Sequence, residues 1–257
     1  MRTHFQPRLG VNLDHIATLR QLRGTPYPDL ILAGQMTEQA GADQITVHLR
    51  EDRRHIQPED VLALKKSLRI PLNLEMAVTP MMVKFAKKVR PQWVCFVPEK
   101  RQELTTEGGL DLSKQTKKIA HAIQELSRAG IEVSLFIEPS KSMVKLAHEL
   151  GAAAVEFHTG KYANLTQSPK SADRQKKIAR EVLRLRDASE LSRSLGVHPH
   201  AGHGLDYQNV RPLVELEDSR GEVLLEEYNI GHSIVARAAL VGLGRAVREM
   251  VAAIRAP

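Results

Sequence analysis

The 257-residue sequence predicts an α/β fold, a (β/α)8 TIM barrel with additional helices, filling residues 1–257 as one domain. Three observations predict it. Eight short apolar, β-branched runs recur along the chain, stretches of helical periodicity lie between them, and a glycine repeatedly closes a helix just before the next strand. Alternating strand and helix implies parallel pairing with helical crossovers, and eight such units in this length suit a closed barrel.

The runs are 9–13, 44–49, 71–77, 93–98, 132–137, 154–158, 197–201 and 227–231. The first leads into Asn12-Leu13-Asp14-His15 and lacks the Gly-x-Gly-x-x-Gly turn of a doubly wound sheet. Gly41 precedes the second run, Gly130 the fifth, Gly151 the sixth and Gly196 the seventh, each where a helix C-terminal cap belongs. Ile119, Ile123 and Leu126 mark one helical stripe, and Ile178, Val182 and Leu185 another. After the eighth run, Ile234, Ala238, Val241, Met250 and Ile254 form a last stripe. Three segments read as long loops: 99–111, with Gly108-Gly109 as a hinge, 159–172, and 217–226. The first two leave strand C-terminal ends, where lids sit in this architecture.

Composition bounds the function. The single Cys95 forms no internal disulfide and favours a reducing compartment; it reads as a packed core thiol. The N-terminus lacks the apolar segment of a secretory signal, and no run of 18 apolar residues exists, so a cytoplasmic protein with no membrane partner is expected. The net charge is +7, but the cations are dispersed and only 4% of residues are aromatic, which argues against a nucleic-acid partner. Phosphorylated small molecules are the partners that such a balance suits.

Side-chain alternation assigns direction along each strand. Leu72, Leu74 and Met76 share one face of the third strand, leaving Asn73 and Glu75 to point inward. The same parity groups Asn12 with Asp14; Thr46, His48 and Arg50; Glu156 with His158; and His198 with His200, each read as lying toward the C-terminal half of its strand. In a barrel those ends meet at one mouth. Glu75, between two apolar residues, suits a general base with a raised pKa; a buried ion pair with Arg50 or Arg53 is the alternative. His48 and His203 can carry protons near neutrality, though a turn histidine is the plainer reading of His203. Gly202 and Gly204 let backbone approach a ligand. Gly231-His232 opens the last helix and could hold phosphate or be a simple helix start. Arg23 and Arg50 could clamp a second phosphate, with Arg53, Arg54 and His55 adding charge. A metal set of His48, His158, His203 and Glu156 is conceivable, but Arg50 would repel a cation, so no metal is expected.

Long motifs resemble the pyridoxine 5′-phosphate synthase family: GVNLDHIATLR from Gly10, DQITVHLREDRRH from Asp43, NLEMAV from Asn73, VPEKRQELTTEGG from Val97, VEFHTG from Val155, AGHGL from Ala201 and NIGH from Asn229. The resemblance implies condensation of 3-amino-2-oxopropyl phosphate with 1-deoxy-D-xylulose 5-phosphate to pyridoxine 5′-phosphate, phosphate and water, with no cofactor. It implies Glu75 and His48 as proton acceptors, His203 as proton donor and Glu156 as a supporting group. Asn12, Arg23, Gly204, Gly231 and His232 would hold the aminoketone phosphate; Asp14, His15, Arg50, His55 and Thr105 the deoxyxylulose phosphate. A homo-octamer is also implied. His200 stands where the family usually has asparagine, and 217–226 is longer than usual. The alternative reading is a phosphosugar aldolase or isomerase, which would want an inward lysine or a metal.

Overall fold

A computed structural model describes residues 6–99 and 108–255. Eight parallel strands close on themselves in sequence order: β1 (Arg8–Asn12), β2 (Gln44–His48), β3 (Leu72–Met76), β4 (Trp93–Phe96), β5 (Glu132–Ile137), β6 (Ala154–His158), β7 (His198–Gly202) and β8 (Glu227–Ile230). β8 returns to β1 with Gly10 opposite Asn229, which closes the ring. Every predicted strand is present, with ends shifted by two residues at most.

The helices between them are α1 (Asp14–Arg23), α2 (Leu30–Gln39), α3 (Pro58–Ser67), α4 (Pro80–Val89), α5 (Thr116–Arg128), α6 (Lys141–Glu149), α7 (Gly160–Gln167), α8 (Ala172–Ser194), α9 (Arg211–Val214), α10 (His232–Val241) and α11 (Leu243–Arg255). Their starts follow from local chemistry. Asp29 accepts the backbone N–H groups of Ile31 and Leu32 at the head of α2, and Thr79, Ser140 and Ser171 cap α4, α6 and α8 likewise. Gly41, Gly130, Gly151 and Gly196 all take positive φ at the ends of their helices, as the pattern predicts.

The main core lies between the strands and the outer helices. Leu72, Leu74 and Met76 are fully buried there, as are Ile119 and Leu126 of α5. The barrel interior is a second, mostly polar compartment, because alternation sends Gln44, Thr46, Asn73, Glu156, Glu227 and Asn229 inward. Cys95 is fully buried as predicted, but with Val97 and Phe136 inside the barrel, apart from the main core.

Three expectations are corrected. Residues 159–172 are mostly the helix α7, whose buried face is only Gly160, Tyr162 and Ala163, too little apolar periodicity to reveal it in sequence. The final stripe is two helices, broken at Gly242 in the left-handed region with φ 84°. His198 and His200 occupy the lower half of β7, because the strand runs on to Gly202 and gives that residue the rim position. His198 is exposed beneath the barrel, bonded through Nδ1 to Glu226, and His200 is buried in the floor.

Candidate active site

Strand ends and the loops that follow them build the mouth. Asp14, the first residue of α1, ties two of them together: its Oδ1 accepts the His48 backbone N–H at 2.8 Å, and its Oδ2 accepts Asn12 Nδ2 at 3.0 Å. Asn12 Oδ1 accepts the Asp14 N–H at 2.9 Å, so β1 and β2 end in one locked turn. His48 Nδ1 lies 3.9 Å from Glu75 Oε2, while its Nε2 is 3.0 Å from Glu99 Oε1. The ionic neighbour of Glu75 at this distance is therefore an imidazole. Burial, with the negative charges of Glu156 and Asp14, raises the Glu75 pKa well above the ordinary carboxylate range.

Glu156 stands opposite on β6. Its Oε2 accepts Asn229 Nδ2 at 2.9 Å, and burial, with the Glu227 carboxylate below, pushes its pKa up to about 8. Its Oε1 occupies space beside Gly202, where a Cβ would lie 2.0 Å away; only glycine fits there. His203 follows with φ 76°, a left-handed conformation that costs a non-glycine residue about 1–3 kcal/mol. Thr159 holds that turn, its hydroxyl reaching the carbonyl oxygens of Gly202 at 2.8 Å and His203 at 2.6 Å. The His203 ring lies tilted at 55° to that of His158, with centroids 4.8 Å apart, and burial plus the neighbouring imidazole lowers its pKa to about 4. His158 in turn holds Glu138 Oε1 at 2.7 Å, which keeps the Glu138 pKa down at about 2.

The phosphate-binding features lie around this centre. Gly231 precedes α10 and packs so tightly on Asn12 that a Cβ would come within 2.9 Å of it. His232 begins α10 with its ring 4.8 Å from that of His15. His15 Nδ1 is buried with no hydrogen-bond partner among the described residues. Arg50 is buried beside Asp52, its Nε 3.7 Å from Oδ1. The His55 Nδ1 accepts the Ile56 N–H at 2.9 Å, leaving Nε2 as the protonated nitrogen, and burial lowers its pKa.

A trio different from the four residues conceivable in the sequence offers metal-ligand geometry: atoms of Asp14, His48 and Glu75 lie within 4.8 Å of one another. Its fit to a cation is poor. Both Asp14 oxygens are engaged in bonds to Asn12 and His48, and burial favours the neutral form of Glu75.

The sequence profile of the family described as "Pyridoxal phosphate biosynthesis protein PdxJ" matches residues 9–256. The chain belongs to the PdxJ family. It is 53% identical over 245 residues to pyridoxine 5′-phosphate synthase of Bdellovibrio bacteriovorus, covering 95% of this chain and 96% of that one. It is 51% identical over 243 residues to the synthase of Idiomarina loihiensis, covering 95% of each. Among solved structures, 3-keto-L-gulonate-6-phosphate decarboxylase from Vibrio cholerae aligns with TM-score 0.62 at 14% identity over 96% of this chain and 97% of that one. Phosphoribosylanthranilate isomerase from Thermotoga maritima aligns with TM-score 0.59 at 12% identity over 98% and 100%. Those two likenesses show the barrel alone.

In this PdxJ-family chain the mouth gathers Asn12, Asp14, His15, His48, Arg50, His55, Glu75, Glu156, His203, Gly204, Gly231 and His232 on strand ends and the turns that follow them. Arg23 is not gathered there. It stands exposed at the last turn of α1, nine residues and so about 13 Å of helix rise beyond Asp14. Thr105 lies outside the described residues. Glu99, Glu138, Glu227 and Asn229 are further site residues that the sequence did not single out. Glu227 and Asn229 alternate with Tyr228 and Ile230, so the parity that marks Glu75 also marks them. Glu99 and Glu138 follow their strands in loops, where parity gives no direction.

Proposed function

We propose that this chain is a pyridoxine 5′-phosphate synthase, condensing 3-amino-2-oxopropyl phosphate with 1-deoxy-D-xylulose 5-phosphate to form the ring without a cofactor. The observation that carries the reading is the pairing of two carboxyl groups, part-buried Glu75 and buried Glu156, with His48 and His203 around one mouth. Imine formation, phosphate loss, hydration, ring closure and aromatisation each move a proton at a different atom. Groups of staggered acidity serve such a sequence better than one strong catalyst.

In this reading Glu75 and His48 accept protons, and their proximity lets one relay to the other. His203 is neutral at pH 7 and donates through its ring N–H, oriented by His158 and Glu138. Glu156 supports the developing charge across the cavity. Asn12, Gly204, Gly231 and His232 bind the aminoketone phosphate, the head of α10 supplying backbone N–H groups. Asp14, His15, Arg50, His55 and Thr105 bind the other substrate. The amine comes from substrate, so no enzyme lysine is needed for a Schiff base. None of the eight strands contains lysine, which tells against the aldolase alternative.

The same reading includes a homo-oligomer, an octamer by family resemblance. Exposed Leu19, Leu22, Tyr27, Leu32 and Met36 on and between α1 and α2 support a subunit contact there. It also includes a cytoplasmic location and no nucleic-acid partner; no helix among the described residues is long and apolar enough to cross a membrane. The test supplies both phosphates to the purified chain and follows pyridoxine 5′-phosphate absorbance and phosphate release, with and without chelator. Product without added metal is expected. Absence of product, or its abolition by chelator, refutes the reading.

A further inference from the structure

A continuous set of hydrogen bonds runs down the barrel interior from Glu156 to its N-terminal mouth. Asn229 Nδ2 donates to Glu156 Oε2 at 2.9 Å and also faces Glu227 Oε1 at 3.3 Å. Gln44 Nε2 donates to the same Glu227 oxygen at 2.8 Å, and Arg8 Nε donates to Glu227 Oε2 at 3.0 Å. Thr46 Oγ1 donates to Asn229 Oδ1 at 2.9 Å, which fixes the amide so that its NH2 group points at both carboxyls. Gly10 makes this orientation possible, since a Cβ there would lie 2.0 Å from Asn229 Oδ1. Two carboxyl groups are thus joined through one amide in a space closed to water: Glu156 is 3% exposed and Glu227 2%.

We propose that Glu227 is a positioning residue that, through Asn229, keeps Glu156 as a neutral carboxylic acid at working pH. The distribution of charge partners leads there. Glu227 has a guanidinium partner in Arg8 and a further donor in Gln44, so the lower carboxyl is the one provided for as an anion. Glu156 has one neutral amide donor and no cation in hydrogen-bond contact among the described residues. Two anions bridged by one amide in a low-dielectric interior repel strongly, and the unpaired one retains its proton. Because Oε2 accepts from Asn229, the proton resides on Oε1, the oxygen beside Gly202 at the rim.

The other ionisable groups around Glu156 do not reverse this. His200 on β7 sits beneath it, with Nδ1 3.6 Å from Glu227 Oε1, and burial favours its neutral form. Glu75 and Cys95 face it across the interior, and burial raises the pKa of both. His158 and His203 lie above, His203 neutral and His158 engaged with Glu138. A neutral Glu156 spares Glu75 a like charge and so eases its ionisation, while Glu156 itself donates a hydrogen bond across the cavity. The catalytic consequence rests on the proposed function, whereas the protonation state can be read without turnover.

The experiment is infrared titration of the unliganded protein, with Glu156→Gln to identify the protonated-carboxyl C=O band of Glu156. The band is expected at neutral pH in the natural chain and lost on titration near pH 8. In Glu227→Gln, which retains an acceptor for Gln44 but removes the charge, it should titrate about one to three units lower. The exchanged pair Gln44→Glu with Glu227→Gln restores a floor carboxylate and should move the titration back up; a merely structural role for Glu227 would predict no such return. A natural chain with no Glu156 carboxyl band at neutral pH overturns the proposal, whatever the variants do. So does a folded Glu227→Gln whose band titrates at the natural pH. A chain with the expected band behaviour but no product from the two phosphates would sink the proposed function and leave this inference standing.

Discussion

Replacing Glu156 by glutamine should stabilise the protein, and by an amount that grows with pH. Glutamine keeps the shape and an acceptor oxygen for Asn229 Nδ2, so the packing beside Gly202 is retained. The carboxyl has a pKa of about 8 in the folded chain against 4.5 when unfolded. Below pH 4.5 both states hold the proton and the group is neutral in the balance. Between 4.5 and 8 the unfolded chain has released its proton while the folded chain retains it, so stability falls as pH rises through that window. At about 1.4 kcal/mol per unit, the full rise corresponds to about 5 kcal/mol, a ceiling reached only above pH 8. Glu75, raised in the same direction, loses a repelling neighbour in the variant and adds to the trend. Reversible urea unfolding of both proteins at pH 5 and pH 8.5 reads the difference. The glutamine variant should be close to the natural protein at pH 5 and several kcal/mol more stable at pH 8.5. A difference that stays constant between those pH values, or that shrinks as pH rises, refutes the assignment of a raised Glu156 pKa and with it the stated electrostatics of the site.

Glu75→Gln should leave circular dichroism unchanged while lowering kcat about 10²- to 10⁴-fold, the usual weight of a positioned base; near-normal turnover would remove Glu75 from that role. His158→Gln takes away the neighbouring imidazole that, after burial, lowers the His203 pKa, so that pKa should climb from about 4, as followed by imidazole proton NMR. A value unmoved in that variant would mean that burial alone sets it. His232→Ala should raise KM for the aminoketone phosphate with little change in kcat, because its place at the head of α10 assigns it to ground-state binding. Steady-state kinetics with an unchanged KM would contradict the assignment.

The catalytic candidates are legible in the sequence because they sit on strands, where a two-residue period gives direction. Leu74 and Met76 fix Glu75 as inward as soon as 72–76 is taken as a strand, and the same rule marks His48 and Glu156. The rule fails by height at β7. Parity tells which face a side chain takes, not how far along the barrel it lies, so it places His198 and His200 at the rim when they belong to the floor. Loops give less. Neither the contact of Glu99 with His48 nor that of Glu138 with His158 follows from any local period, since loop residues are directed by what they pack on.

By itself, then, the sequence determined the eight-fold alternation, the helix-ending glycines and the inward parity of the polar strand residues, all of which depend on neighbours within a few positions. Only closure of β8 onto β1 decided that Gly10, Thr46, Glu156 and Asn229 share one interior, and that Asp14 locks β1 to β2 beneath His48. The pKa values of Glu75, Glu156 and His203 belong to that second class. They arise from desolvation and from charges on other strands, quantities that exist only once distant segments have excluded water together.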